Sequence, residues 1–270
     1  MSVPEGLAQD LIWDILAEGL EITLWEPGAR CQNEVPPVVI LKVNPEHYRF
    51  SVHYFKDEGL AEPLTIQEWQ HRTGASVLFN AGLFGEDYTY LGLLFKDGRS
   101  LGTKRHPFWH GLFVAEPAVP GMRKARLIDL TYEEVAEAQP VYQEMAQGLM
   151  LLDRTGTPRV RRSAKRAHQT IVAEGRQGTH LFILKTTGIV GLWALASCIR
   201  DGLPVVYQAM AMDGGASSDL LIGKPLLAPS VEAGQVRPWQ LLTDGSGLPH
   251  IRLPSVIGLI PRERAPGRTE

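Results

Sequence analysis

The sequence predicts an α+β (mixed α/β) fold, a single domain with a mixed β-sheet core flanked by helices, and three observations predict it. The stretch from Thr179 to Met212 reads strand–helix–strand, the unit that joins two parallel strands. Elsewhere, short apolar or alternating segments are separated by Pro, Gly and Asn, the pattern of antiparallel hairpins. The 270 residues are 44% hydrophobic and 21% charged, an ordinary globular balance that can form a packed core.

Leu7, Leu11, Ile12, Ile15 and Leu16 share one face of a helix stopped by Gly19. Strands follow at Glu21–Glu26, Val38–Val43 and Tyr48–Phe55, broken by Pro36, Pro37, Asn44 and Pro45. Thr65 with Glu68 forms a capping-box pattern for a short helix through Arg72. Ser76–Phe79 is the next buried strand, then Leu91–Phe95 with a tight turn at Asp97-Gly98, then Gly111–Ala115 and Leu127–Leu130. Thr131 with Glu134 repeats the capping pattern and predicts a helix towards Gln147, interrupted by Pro140, before a strand at Leu149–Leu152. Gln169–Ala173 and Leu181–Leu184 read as a hairpin around Gly175 to Gly178. Ile189–Arg200 has the clearest helical periodicity, with Gly202 as its stop. Val205–Met212 and Ile251–Ile260 are the last strands. Residues 1–75 are expected to be integral to the domain, 76–261 its core, and 262–270 a polar tail.

A formal charge of −3 gives no global attraction to nucleic acid. No apolar run is long enough to span a membrane, and Met1 to Gly19 lacks the basic-then-apolar order of a signal peptide. Two cysteines, Cys31 and Cys198, are too few for a disulfide scaffold or a structural zinc site. Their ordinary reading is two buried thiols, with a bridge open in an oxidising compartment.

Asp213-Gly214-Gly215-Ala216-Ser217-Ser218 follows a buried strand, where glycines let backbone N–H groups approach a ligand beside an acid. Asn80-Ala81-Gly82-Leu83-Phe84 is a second polar and glycine turn after an apolar strand. Arg154, Arg159, Arg161, Arg162, Lys165 and Arg166 form a basic run without interleaved aromatics, able to fork onto a phosphate or to lie solvated. His106 and His110 lie beside Trp109, and His168 follows the basic run, with no metal-ligand spacing among them. Gly245-Ser246-Gly247 lacks the pentapeptide of a nucleophile elbow and reads as a turn.

Together these motifs resemble the phosphodiester glycosidase domain family, in order, from about Ser76 to Ile260. The Asn80 to Phe84 turn, Leu91-Gly92, Asp97-Gly98, Gln147-Gly148-Leu149, the Asp213 to Ser218 turn and Arg252 before the final strand carry the resemblance. It implies hydrolysis of a sugar-1-phosphodiester, at the bond from sugar C1 to the phosphate oxygen, giving free sugar and a phosphomonoester. It assigns Asp213 as base or oxocarbenium stabiliser. Asn80, Gly82, Thr170, Gly214, Gly215, Ser217 and Ser218 would contact substrate, with Arg252 or Arg166 on the phosphate. No cofactor is required, although Asp213 and Asp219 leave a shared divalent cation open. The implied partner is a small-molecule or glycan phosphodiester, and the implied location is extracytoplasmic, while the missing signal peptide leaves the cytoplasm open. The chain departs from the family pattern at Ala81, Leu83, Gln169, Ala194 and Ala216. Gln169 stands where an Arg is usual and Ala194 where a Glu is usual, which raises the alternative of a binding module that no longer cleaves.

Overall fold

The computed structural model describes residues 11–227, 237–243 and 250–263. Strands β1 (Asp14–Ala17), β2 (Leu20–Trp25), β3 (Val38–Val43) and β4 (Tyr48–Tyr54) precede helix α1 (Ile66–Thr73). There follow β5 (Val77–Asn80), β6 (Leu94–Lys96), β7 (Arg99–Ser100), β8 (Gly111–Pro117), β9 (Ala125–Asp129) and β10 (Tyr142–Leu152). The chain continues through β11 (Thr170–Gly175), β12 (Leu181–Thr186), helix α2 (Leu192–Gly202), β13 (Val206–Ala211), β14 (Leu220–Ile222) and β15 (Ser255–Pro261).

The protein is mostly β, which corrects the α+β expectation. One sheet has 11 strands in the path β1-β2-β3-β12-β11-β13-β10-β6-β7, with β8 on β10 and β9 on β8; a second has four, β14-β5-β15-β4. The expected parallel pair does not form. β12 and β13 do run the same way across α2, but β11 lies between them and pairs antiparallel with both.

The misreading has a physical cause. Strands that are apolar on both faces are typical of parallel sheets covered on each side. Here an antiparallel sheet is covered on each side. Val39, Leu41, Val172 and Ile183 pack with Phe50, Val52 and Ile257 of the four-stranded sheet. Their neighbours Val38, Ile40, Ile171 and Leu184 point the other way, onto Leu195, Ala196 and Ile199 of α2. Cys31 and Cys198 are bridged, with Cα atoms 5.3 Å apart, tying α2 to the turn before β3; this replaces the reading as separate thiols.

Two expected helices are strands or turns. The N-terminal helix is overturned over its described part, where β1 pairs antiparallel with β2 around Gly19 at φ +74°; residues 1–10 lie outside the described residues. The helix from Thr131 to Gln147 is replaced by a turn, in which Thr131 donates its N–H to Asp129 Oδ1 at 2.9 Å, and by β10. Glu144 and Gln147, three apart, read as a polar helix face. In β10 both are buried and bonded: Glu144 accepts N–H groups from Val52 (2.7 Å) and Asp97 (3.1 Å), closing the seam between the two sheets at the β4 edge. The capping box at Thr65 and Glu68 does open α1. The expected turn at Gly245-Ser246-Gly247 and most of the polar tail lie outside the described residues. No described helix is long and apolar enough to cross a membrane.

Candidate active site

β13 is buried among β10 and β11 and carries its chain straight to Asp213. Asp213 donates its N–H to Ala81 O (3.1 Å), so the two motif turns are stitched together at the end of the sheet. Gly214 is packed where a Cβ would come 2.8 Å from Gln169 Oε1 and 2.9 Å from His168 O. Gly215 has φ +74° and donates to His168 O at 2.8 Å. These two positions require glycine for different reasons, one for close approach and one for a left-handed backbone. The Asp213 carboxylate receives the Gly214 N–H (2.9 Å) and the Ser217 hydroxyl. Burial is the dominant influence and holds its pKa above the usual aspartate range, against the lowering pull of those bonds and of the Lys165 charge.

Asp213 faces a cavity of about 460 Å³, a size suited to a small ligand. Gly214, Gly215 and Gln169 line it beside Asp213. Arg161 and Lys165 also line it, and Leu83, Trp109 and Leu149 add apolar surface. Asp213 is the only carboxylate among the described lining residues.

The basic run sorts itself by partner. Arg154 lies over the Tyr132 ring at 4.7 Å, and Arg159 pairs with Asp129 at 3.2 Å. Arg162 covers Trp193 at 3.7 Å, and Arg166 donates to Glu34 O at 3.1 Å. Among the described residues, Arg161 and Lys165 have no ion-pair or hydrogen-bond partner for their charged groups, and both border the cavity. The sequence marked the whole run as able to fork onto a phosphate and singled out Arg166; which of its members border the cavity depends on how the loop is anchored.

Several predicted site residues hold the site together and do not line it. Asn80 is buried; its Oδ1 accepts Asp219 N–H (2.9 Å) and its Nδ2 donates to Asp213 O (2.8 Å). Gly82 clears space for Tyr90, whose hydroxyl accepts the Gly82 N–H (3.2 Å) and donates to Gln147 O (2.7 Å). Thr170 and Ser218 meet at 2.9 Å inside the fold, where Lys185 donates to Ser218 Oγ at 3.1 Å. Burial lowers the Lys185 pKa to about 8. Arg252 donates to Pro63 O at 2.7 Å and pairs with Glu62, away from the cavity lining. Asp219 is turned to His250 and does not line the cavity Asp213 faces. Among the described residues no group of three or more His, Cys, Asp or Glu side chains is placed to hold a metal ion.

The fold is shared with known structures. No protein-family profile matches the sequence, and no curated protein matches it. The catalytic domain of zebrafish N-acetylglucosamine-1-phosphodiester alpha-N-acetylglucosaminidase, auto-inhibited by its pro-peptide, superposes with a TM-score of 0.60 at 13% identity, over 91% of this chain and 85% of that one. A hypothetical protein from Synechocystis gives 0.59 at 15% identity, over 94% of this chain and 64% of that one, so this chain spans under two thirds of its length. A Burkholderia pseudomallei protein whose name describes it as exported gives 0.52 at 11% identity, over 84% and 74%. At these identities the likeness is one of fold.

Proposed function

We propose that this chain is a glycosidase that cleaves a sugar-1-phosphodiester at the bond between sugar C1 and the phosphate oxygen. The observation that carries the reading is a single half-buried carboxylate, Asp213, facing a cavity whose other charged lining groups are cationic. A neutral glycoside needs a second acid to protonate the departing oxygen. A phosphomonoester has a second pKa of about 6 and departs without one. The C1–O electron pair leaves with the phosphate, water adds to C1, and Asp213 takes the proton that water loses. A base whose pKa is raised towards neutrality accepts that proton more readily than an ordinary aspartate. Lys165 and Arg161 balance the charge gathering on the phosphate, and the Gly214 N–H keeps the carboxylate aimed. The fold shared with a phosphodiester glycosidase catalytic domain supports the same reaction class.

Turnover of a panel of aryl sugar-1-phosphodiesters tests the reading, with Asp213→Asn expected to lose at least about a hundredfold in kcat while remaining folded. Equal activity in the variant would remove Asp213 from the chemistry. The lone carboxylate, with Gln169 beside it, also favours a second reading, a sugar-phosphate binding module of the same fold. Tight binding of the same panel without product release would select it.

An extracytoplasmic place of action belongs to the proposal. The Cys31–Cys198 bridge supports it, because such bonds persist in oxidising compartments. Two free thiols titrated in the denatured natural protein would count against it.

A further inference from the structure

Trp109 lines the same cavity as the cations, and its surroundings show a built feature. His106 stacks on the indole with ring centroids 3.8 Å apart and planes 17° from parallel, covering one face. The loop carrying both rings is fixed by Gln147, a fully buried residue of β10. Its Nε2 donates to His106 O (2.9 Å) and Trp109 O (2.5 Å), and its Oε1 accepts from His106 N–H (2.9 Å) and Leu93 N–H (3.0 Å). One amide side chain thus satisfies four backbone groups and ties the 106–109 segment to the sheet. Gly92, at φ +101°, leaves the room: a Cβ there would lie 2.6 Å from Gln147 Oε1. A solvated surface loop needs no such anchoring; a ring that must keep its attitude in a cavity does.

We infer that Trp109 is the platform on which the pyranose ring of the substrate stacks, with its phosphate turned towards Lys165 and Arg161. The inference rests on the glycosidase reading and adds the sugar subsite to it. A pyranose presents a face of C–H groups between rims of hydroxyls, and an indole offers a broad apolar surface to that face. His106 occupies one side of the indole, so the side left for a ligand is the other. Leu83 and Leu149 add apolar surface to the same cavity, and Asp213 lines it just after β13. Gln147 is a positioning residue that acts through the loop.

The test is a set of affinities for inorganic phosphate and for a panel of hexose 1-phosphates, measured by calorimetry on the wild type and on Trp109→Ala, Trp109→Phe and Lys165→Ala. Circular dichroism checks that each variant is folded. The wild type should bind at least one hexose 1-phosphate tenfold or more tighter than phosphate. Trp109→Ala should erase that margin with phosphate affinity unchanged, and Trp109→Phe should keep most of it. Lys165→Ala should weaken phosphate and hexose 1-phosphate alike. A margin that survives in Trp109→Ala overturns the platform and leaves the anion site standing. A wild type with no margin for any sugar overturns both the platform and the glycosidase reading.

Discussion

Asp213 and Glu144 are both carboxylates that burial holds above the usual range, and they sit in regions built for different ends. Glu144 lies on the seam between the sheets, its pKa raised to about 7, with one oxygen on Val52 N–H and the other on Asp97 N–H. Both oxygens are committed to backbone groups, one on the β4 edge and one in the β6–β7 turn. Asp213 takes its bonds from its own turn and borders a cavity lined by Arg161 and Lys165, cations without an ion-pair partner among the described residues. A perturbed acid therefore marks a candidate site only where a ligand can reach it. Glu174, buried on β11, is likewise committed to the fold: it accepts Leu127 N–H at 3.0 Å and pairs with Arg123, an edge capped by a carboxylate.

The comparison can be broken by exchanging what each acid does. The largest effect expected is the loss of turnover in Asp213→Asn, about a hundredfold or more, whereas Glu144→Gln should leave kcat within about threefold. If Glu144→Gln were the more damaging to turnover, the assignment of roles would be reversed.

Stability should show the opposite sensitivity. The folded pKa of Glu144 is above its ordinary 4.5, so its neutral form favours the folded state. Its contribution is fully present below about pH 4.5 and is lost as pH rises through about 7, on the order of 3 kcal/mol in all. Thermal melts from pH 5 to pH 8 should fall in the wild type and flatten in Glu144→Gln. An unchanged slope would show that Glu144 titrates as an ordinary surface acid.

A smaller effect sharpens the Asp213 side. Turnover needs the ionised base, so activity should be lost as pH falls through a midpoint above the ordinary aspartate range. Lys165 lowers that midpoint, and Lys165→Ala should move the acid limb to higher pH. A limb that stays put would separate Lys165 from Asp213.

The strands were legible because their apolar runs and turn residues are local; Val38–Val43 and the Asp97-Gly98 hairpin stand where the sequence placed them. Sheet direction was not, since double-faced burial looks the same whether strands run parallel or antiparallel. β10 was hidden by Glu144 and Gln147, polar residues whose partners lie far along the chain. At the site, the Asp213 turn declared itself through its glycines. Asn80, Thr170 and Ser218 look like ligand contacts in one dimension, and their bonds in three go to Asp213 O, to Asp219 N–H and to each other. Trp109, Arg161 and Lys165 face the cavity because of loop anchors that no local pattern encodes.

The most direct test of the central claim is hydrolysis of a sugar-1-phosphodiester in water enriched in heavy oxygen, with the label located by mass spectrometry. Cleavage at C1 puts the heavy oxygen in the released sugar and none in the phosphomonoester, as the account predicts. Label in the phosphate would mean that the phosphorus–oxygen bond breaks and would contradict it.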